Sequence, residues 1–128
     1  MPSWTLHTEF KFDSAHFIDG YDGKCGRMHG HTYKVHISAK SNKLNVSKYL
    51  NTADMVCDFK ELKWAAQDVT KGGLDHSVLN DILPVSTTAE RIAEFIYKET
   101  KNRIPSEIEL KVTVWETDTS WVEYSDED

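Results

Sequence analysis

The stretch Trp4-Thr5-Leu6-His7-Thr8-Glu9-Phe10-Lys11-Phe12-Asp13-Ser14-Ala15-His16 alternates in character from residue to residue. Trp4, Leu6, Phe10, Phe12 and His16 share one parity, while His7, Glu9, Lys11 and Asp13 fall on the other. Successive side chains of a strand point to opposite faces, so this period of two predicts a half-buried antiparallel strand with His16 on its apolar side. The alternation returns from about His29 to Lys40, where Tyr33, Val35 and Ile37 oppose Lys34, His36 and Ser38. It returns over Glu107–Trp115, with Ile108, Leu110, Val112 and Val114 as the apolar set, and in the short run Trp121–Tyr124. Between the first two runs, Asp19-Gly20-Tyr21-Asp22-Gly23-Lys24 is turn chemistry. The closing Ser125-Asp126-Glu127-Asp128 is expected to fray.

Two helices are expected in the middle of the chain. Lys40 to Asp54 is polar and reads as a loop with a short extended piece. Met55-Val56-Cys57 then leads to a helix opened by Asp58, with Glu61 at capping-box spacing and Gly72-Gly73 as its stop. The second helix begins at Thr87-Thr88-Ala89-Glu90, carries Ala89, Ile92, Ala93, Ile96 and Tyr97 on one face, and stops before Pro105. The order β-β-α-α-β-β predicts an α+β fold, an antiparallel four-stranded sheet with two helices on one face.

At 128 residues, with 39% hydrophobic and 28% charged residues, the chain is expected to form one domain over residues 1–128 with a core of its own. Its net charge of −6 speaks against nucleic acid or an anionic membrane as the main partner, because both call for clustered Lys and Arg. No apolar run approaches the roughly 18 residues of a membrane span, and no secretory signal is visible. Two cysteines, Cys25 and Cys57, make a poor disulfide framework, so a reduced, cytoplasmic setting is expected.

Six histidines remain to be placed. In His29-Gly30-His31 the two imidazoles lie on one face of a strand, about 6.5–7 Å apart at the backbone, close enough to converge on one ion. Gly30 between them leaves room for close approach. His16 falls on the same apolar side of its own strand, and three ligands leave the open position of a catalytic zinc. Satisfied core histidines are the other reading. His7 and His36 take the opposite parity and read as surface residues.

Cys25 lies in a loop between Lys24 and Arg27, and cationic neighbours favour a reactive thiolate. A small buried hydrophobe is the alternative, and the expected role of Cys57. Asp75 beside His76 can orient an imidazole, or can be a helix-end cap next to an exposed histidine. Glu116 continues the parity of Val112 and Val114, so a strand one residue longer turns its carboxylate inward, where a ligand with two adjacent N–H donors would satisfy it. If the strand ends at Trp115, Glu116 faces solvent instead.

Phe12-Asp13-Ser14-Ala15-His16, Lys24-Cys25-Gly26-Arg27-Met28-His29-Gly30-His31-Thr32-Tyr33, Met55 to Lys63, Leu74 to Asn80, Thr88-Ala89-Glu90 and Val114-Trp115-Glu116-Thr117 together resemble the 6-pyruvoyl-tetrahydropterin synthase superfamily. The Cys-x3-His-Gly-His spacing is similar to its QueD branch, the 6-carboxytetrahydropterin synthases. The resemblance implies the tunnelling fold, with trimers closing sheets into a barrel and two trimers stacking as a homohexamer whose sites lie between subunits. It implies His16, His29 and His31 as ligands of one Zn²⁺ per subunit, Cys25 as proton-abstracting thiolate, and Asp75 and His76 as the other catalytic pair. Glu116 would anchor the 2-amino-4-oxo edge of a pterin, with Thr88 also at the substrate. Lys24 and Arg27, cations flanking the catalytic loop of an otherwise acidic chain, are expected to meet the triphosphate, with tuning of Cys25 alone as the other reading. The implied reaction is a zinc-dependent conversion of 7,8-dihydroneopterin triphosphate to 6-carboxy-5,6,7,8-tetrahydropterin, acetaldehyde and triphosphate, in queuosine or 7-deazaguanine biosynthesis. A pyruvoyl-type synthase, a zinc hydrolase and a zinc-stabilised binding module are the competing assignments. Thr87, where relatives often carry Pro, is expected to touch no proposed ligand.

Overall fold

The computed structural model describes residues 2–126. In chain order the elements are β1 (Trp4–His16), β2 (His29–Ser41), α1 (Phe59–Val69), α2 (Ala89–Lys101), β3 (Glu109–Thr117) and β4 (Ser120–Tyr124). The strands lie side by side in chain order, each antiparallel to the next. Phe10 and Phe12 of β1, Tyr33, Val35 and Ile37 of β2, and Val112 and Val114 of β3 are buried on one face of the sheet. Leu62 and Ala66 of α1 and Ile92, Ala93 and Ile96 of α2 join them in one apolar cluster. Both helices therefore cover the same face, as the alternation required. Full burial of each large side chain in that layer stabilises the fold by about 1.5–3 kcal/mol.

The β1–β2 register places Phe12 opposite Tyr33, Ser14 opposite His31 and His16 opposite His29. Directly opposed residues of an antiparallel pair share a face. The sheet thus carries an apolar layer that gives way, at one end, to three histidines.

Several boundaries differ from expectation. β3 starts at Glu109 because Ile108, though buried, donates its N–H to the Pro105 carbonyl at 3.2 Å in a turn. The strand also continues through Thr117, which carries Glu116 into the sheet. Asp58 caps α1 by accepting from the Lys60 N–H at 2.8 Å, but the reciprocal half of the capping box is missing, since Glu61 Oε1 is buried without a partner. Gly72-Gly73 does not stop the helix. α1 ends at Val69, and both glycines lie in a π-helical turn, Thr70–Leu74, closed by the Asp75 N–H on the Thr70 carbonyl at 2.7 Å. Thr88 rather than Thr87 caps α2, accepting from the Arg91 N–H at 3.3 Å, because the Thr87 hydroxyl donates to the Phe17 carbonyl. The extended piece within 40–54 is a single bridge from Asn45 to Met55. Ser125 and Asp126 follow β4 without regular structure, and Glu127 and Asp128 lie outside the described residues.

Candidate metal centre and its surroundings

His16 is fully buried at the end of β1, and its Nδ1 lies 2.9 Å from the Thr87 carbonyl. The Nδ1 of His29 lies 2.6 Å from the Arg27 carbonyl. A carbonyl only accepts, so in both rings Nδ1 carries the proton and donates, and Nε2 is left with a bare lone pair. The ring centroids stand 4.6 Å (His16–His29), 5.2 Å (His16–His31) and 4.9 Å (His29–His31) apart, each pair edge-on. Their ligand nitrogens all lie within 4.8 Å of one another. His16 Nε2 and His31 Nε2 are buried and have no hydrogen-bond partner. Leaving such an atom unpaired costs about 1–3 kcal/mol each, a cost that a shared cation removes. The donor set of three imidazoles fits zinc. Burial holds the His16 and His31 pKa values below the usual 6.5 and keeps the rings neutral, the form that ligates.

Glu116 reaches the same patch, with Oε1 at 3.9 Å from His31 Nε2 and its side chain 28% exposed. The inward orientation therefore holds, with an open side towards solvent. Its negative charge opposes the downward effect of burial on His31.

Asp75 and His76 arrive by a different route. After the π-helical turn the chain runs along the outer edge of β1. The His76 N–H donates to the Asp13 carbonyl at 2.6 Å, the Ala15 N–H donates to the Ser77 carbonyl at 2.9 Å, and Ala15 pairs with Val78 in parallel sense. Asp75 Oδ1 accepts from the Asp13 N–H at 2.8 Å. Its Oδ2 stands 3.6 Å from His76 Nε2 and 3.9 Å from Lys71 Nζ, ion-pair rather than hydrogen-bond distances. His76 is 78% exposed, with a left-handed φ of 56°. Asp13, Asp75 and His76 form a second group of converging ligand atoms. A groove of about 620 Å³ brings His31 and His76 into one wall.

Cys25 is half-buried in a tight turn, Lys24–Gly26, that follows the end of β1. Gly26 is required there, since a Cβ would meet the Tyr21 carbonyl oxygen at 2.5 Å. The turn is tied back by the Ile18 N–H on the Cys25 carbonyl at 2.9 Å. Among the described residues Cys25 belongs to neither converging group. Lys24 and Arg27 are exposed on the same turn. Cys57 packs beside the core, where burial pushes its thiol up to about 11, as expected of an inert cysteine. The Thr88 hydroxyl oxygen is engaged in its cap.

The space beside Gly30 is open, since a Cβ there would meet only the Ser14 carbonyl, at an ordinary 3.7 Å. One expectation needs correction. Thr87 does touch a proposed ligand, because its carbonyl fixes the His16 tautomer. The Arg27 carbonyl does the same for His29, and neither role is visible in a sequence, since every residue has a carbonyl. His7 and His36 do lie on the helix-free face, but stacked at 4.9 Å, with His36 half-buried.

The sequence model of the 6-pyruvoyl tetrahydropterin synthase family matches residues 5–127. A 6-carboxy-5,6,7,8-tetrahydropterin synthase of Haemophilus influenzae is 36% identical over 147 aligned positions, covering 94% of this chain and 98% of that protein. One from Synechocystis is 37% identical over 95 positions, covering 73% and 72%. The solved 6-pyruvoyl tetrahydropterin synthase of Caenorhabditis elegans superposes with a TM-score of 0.78 at 23% identity, over 99% of this chain and 98% of that one. Its likeness establishes the tunnelling fold for the sheet and helices described above. On the family match and the full-length relative together, the chain belongs to the 6-pyruvoyl tetrahydropterin synthase family.

Proposed function

We propose that this chain, as one domain over residues 1–128, is a zinc-dependent lyase. With one water, it converts 7,8-dihydroneopterin triphosphate to 6-carboxy-5,6,7,8-tetrahydropterin, acetaldehyde and triphosphate, feeding queuosine or another 7-deazaguanine product in the cytoplasm. The observation that carries this reading is the convergence of three imidazoles, two with orphaned Nε2 atoms, one of which, on His31, lies 3.9 Å from an inward carboxylate. The relatives named for that synthase support the choice of reaction.

His16, His29 and His31 would hold the metal, and when bound it supplies Lewis-acid polarisation of the hydroxyl-bearing side chain of the substrate. Glu116 accepts two N–H donors from the pterin edge, a bidentate charge-assisted pair that fixes the ring. Cys25 withdraws a side-chain proton as the thiolate. His76, oriented by Asp75, returns protons to the developing product. Lys24 and Arg27 face the departing triphosphate, and Thr88 borders the pterin. Because Cys25 stands apart from the Asp75–His76 group within one chain, the pair it works with comes from a neighbouring copy in a homohexamer of stacked trimers.

Incubating the zinc-loaded protein with 7,8-dihydroneopterin triphosphate and identifying products by mass tests the proposal. Acetaldehyde with 6-carboxytetrahydropterin is the expected outcome. The family name favours a second reading, elimination of triphosphate with the carbon–carbon bond intact, for which a pyruvoyl product without acetaldehyde would decide.

A further inference from the structure

Five buried side-chain polar atoms have no hydrogen-bond partner among the described residues, and three of them share one patch of sheet: His16 Nε2, His31 Nε2 and Tyr33 Oη. The two imidazole nitrogens have an account, since they face the site of a cation. The phenol has none. Tyr33 is fully buried, stacked on Phe12 at 5.0 Å and edge-on to His31 at 5.4 Å and His16 at 6.0 Å. A phenol buried without a partner is costly, and phenylalanine would fill the same space without that cost.

The histidine face supplies the missing group. The β2–β3 ladder ends with Lys34 opposite Trp115, and β3 shifts register against β4 between Trp115 and Thr117, yet Glu116 reaches His31, whose ring packs against Tyr33 at 5.4 Å. In the structure the Glu116 carboxylate leans towards His31 Nε2, at 3.9 Å, without a hydrogen bond to it. Once a cation claims that nitrogen, the lateral phenol is the donor left to Glu116. We propose that Tyr33 is a positioning residue of the metal-loaded site, its hydroxyl donating to the Glu116 carboxylate and holding it for the incoming ligand. This rests on the zinc and pterin roles proposed above.

The test uses the full chain, metal-free and zinc-loaded, with neopterin fluorescence reporting pterin binding and thermal melting reporting stability. Tyr33→Phe should leave the metal-free Tm unchanged or slightly raised, because it removes a hydroxyl that has no partner there. In the zinc-loaded protein the same change should weaken neopterin binding by about tenfold, the loss of one charge-assisted hydrogen bond. In a Glu116→Ala background Tyr33→Phe should leave the zinc-induced rise in Tm unaffected. A metal-free Tm lowered by several degrees, or equal neopterin affinity in the two loaded proteins, overturns the proposal alone. Failure of the unaltered loaded protein to bind neopterin overturns the pterin role with it.

Discussion

Replacing His29 with Ala separates metal binding from packing more cleanly than any other change at the triad. His16 is fully buried, so its removal also opens a cavity, at a cost of order 2–5 kcal/mol for a large core side chain. His29 is half-buried and gives up one hydrogen bond, to the Arg27 carbonyl, so the metal-free variant should lose no more than about 1 kcal/mol. If four-ligand zinc sites hold the ion with about 10–16 kcal/mol, each ligand contributes about 2.5–4 kcal/mol, and losing one of three weakens the site by about a hundredfold or more. At free zinc one hundred times the dissociation constant, the unaltered protein gains about 2.7 kcal/mol. For a domain of this size that raises Tm by roughly 8–13 °C. His29→Ala should gain only about 0.4 kcal/mol, roughly 1–2 °C, under the same conditions. Melting curves with and without zinc read both numbers. A zinc-induced rise that survives His29→Ala, or that is absent from the unaltered protein, refutes the three-histidine site.

Cys25→Ala should lower turnover by at least about a hundredfold while the zinc-induced rise in Tm persists; full turnover would favour a hydrolase in which the metal activates water instead. Arg27→Ala should raise the KM for the triphosphate substrate by about tenfold and spare zinc affinity, because the contact to His29 is made by the main-chain carbonyl; an unchanged KM removes the phosphate role. Burial holds His16, His31 and His36 below the usual histidine pKa, so the unfolded chain takes up protons near pH 6.5 before the folded one does. The metal-free protein should therefore lose stability as pH falls below about 7, by at most about 1.4 kcal/mol per pH unit for each such histidine. Denaturant titrations at pH 7.5 and 5.5 giving equal midpoints would contradict that.

The strand pattern was legible because pleating obeys a strict parity. The bounds of β1 emerged as Trp4–His16, and the parity of His16, His29 and His31 was enough to gather them. Glu116 was ambiguous because its orientation depended on where β3 stops, which is set by pairing and not by any residue of its own. The helix stop failed for a related reason. Gly72-Gly73 carries the usual signal, but the Asp75 N–H found the Thr70 carbonyl and wound the chain into a wider turn. Thr87 and Arg27 were both singled out in the sequence, but their hold on His16 and His29 was not legible there, because it runs through carbonyls whose direction only the fold determines.

β1 presents His16 on one face, and its backbone at Asp13 and Ala15 carries the segment from Asp75 to Val78 along its edge. One ribbon thus acts as a common ruler for the ion-binding end and for the acid–base pair. A single residue inserted between Asp13 and His16 would turn the histidine to the opposite side while the Asp75 anchor stayed put. Tolerance to length changes in this part of the chain should therefore be close to nil, whereas the exposed run 51–54, which positions none of these groups, is free to vary.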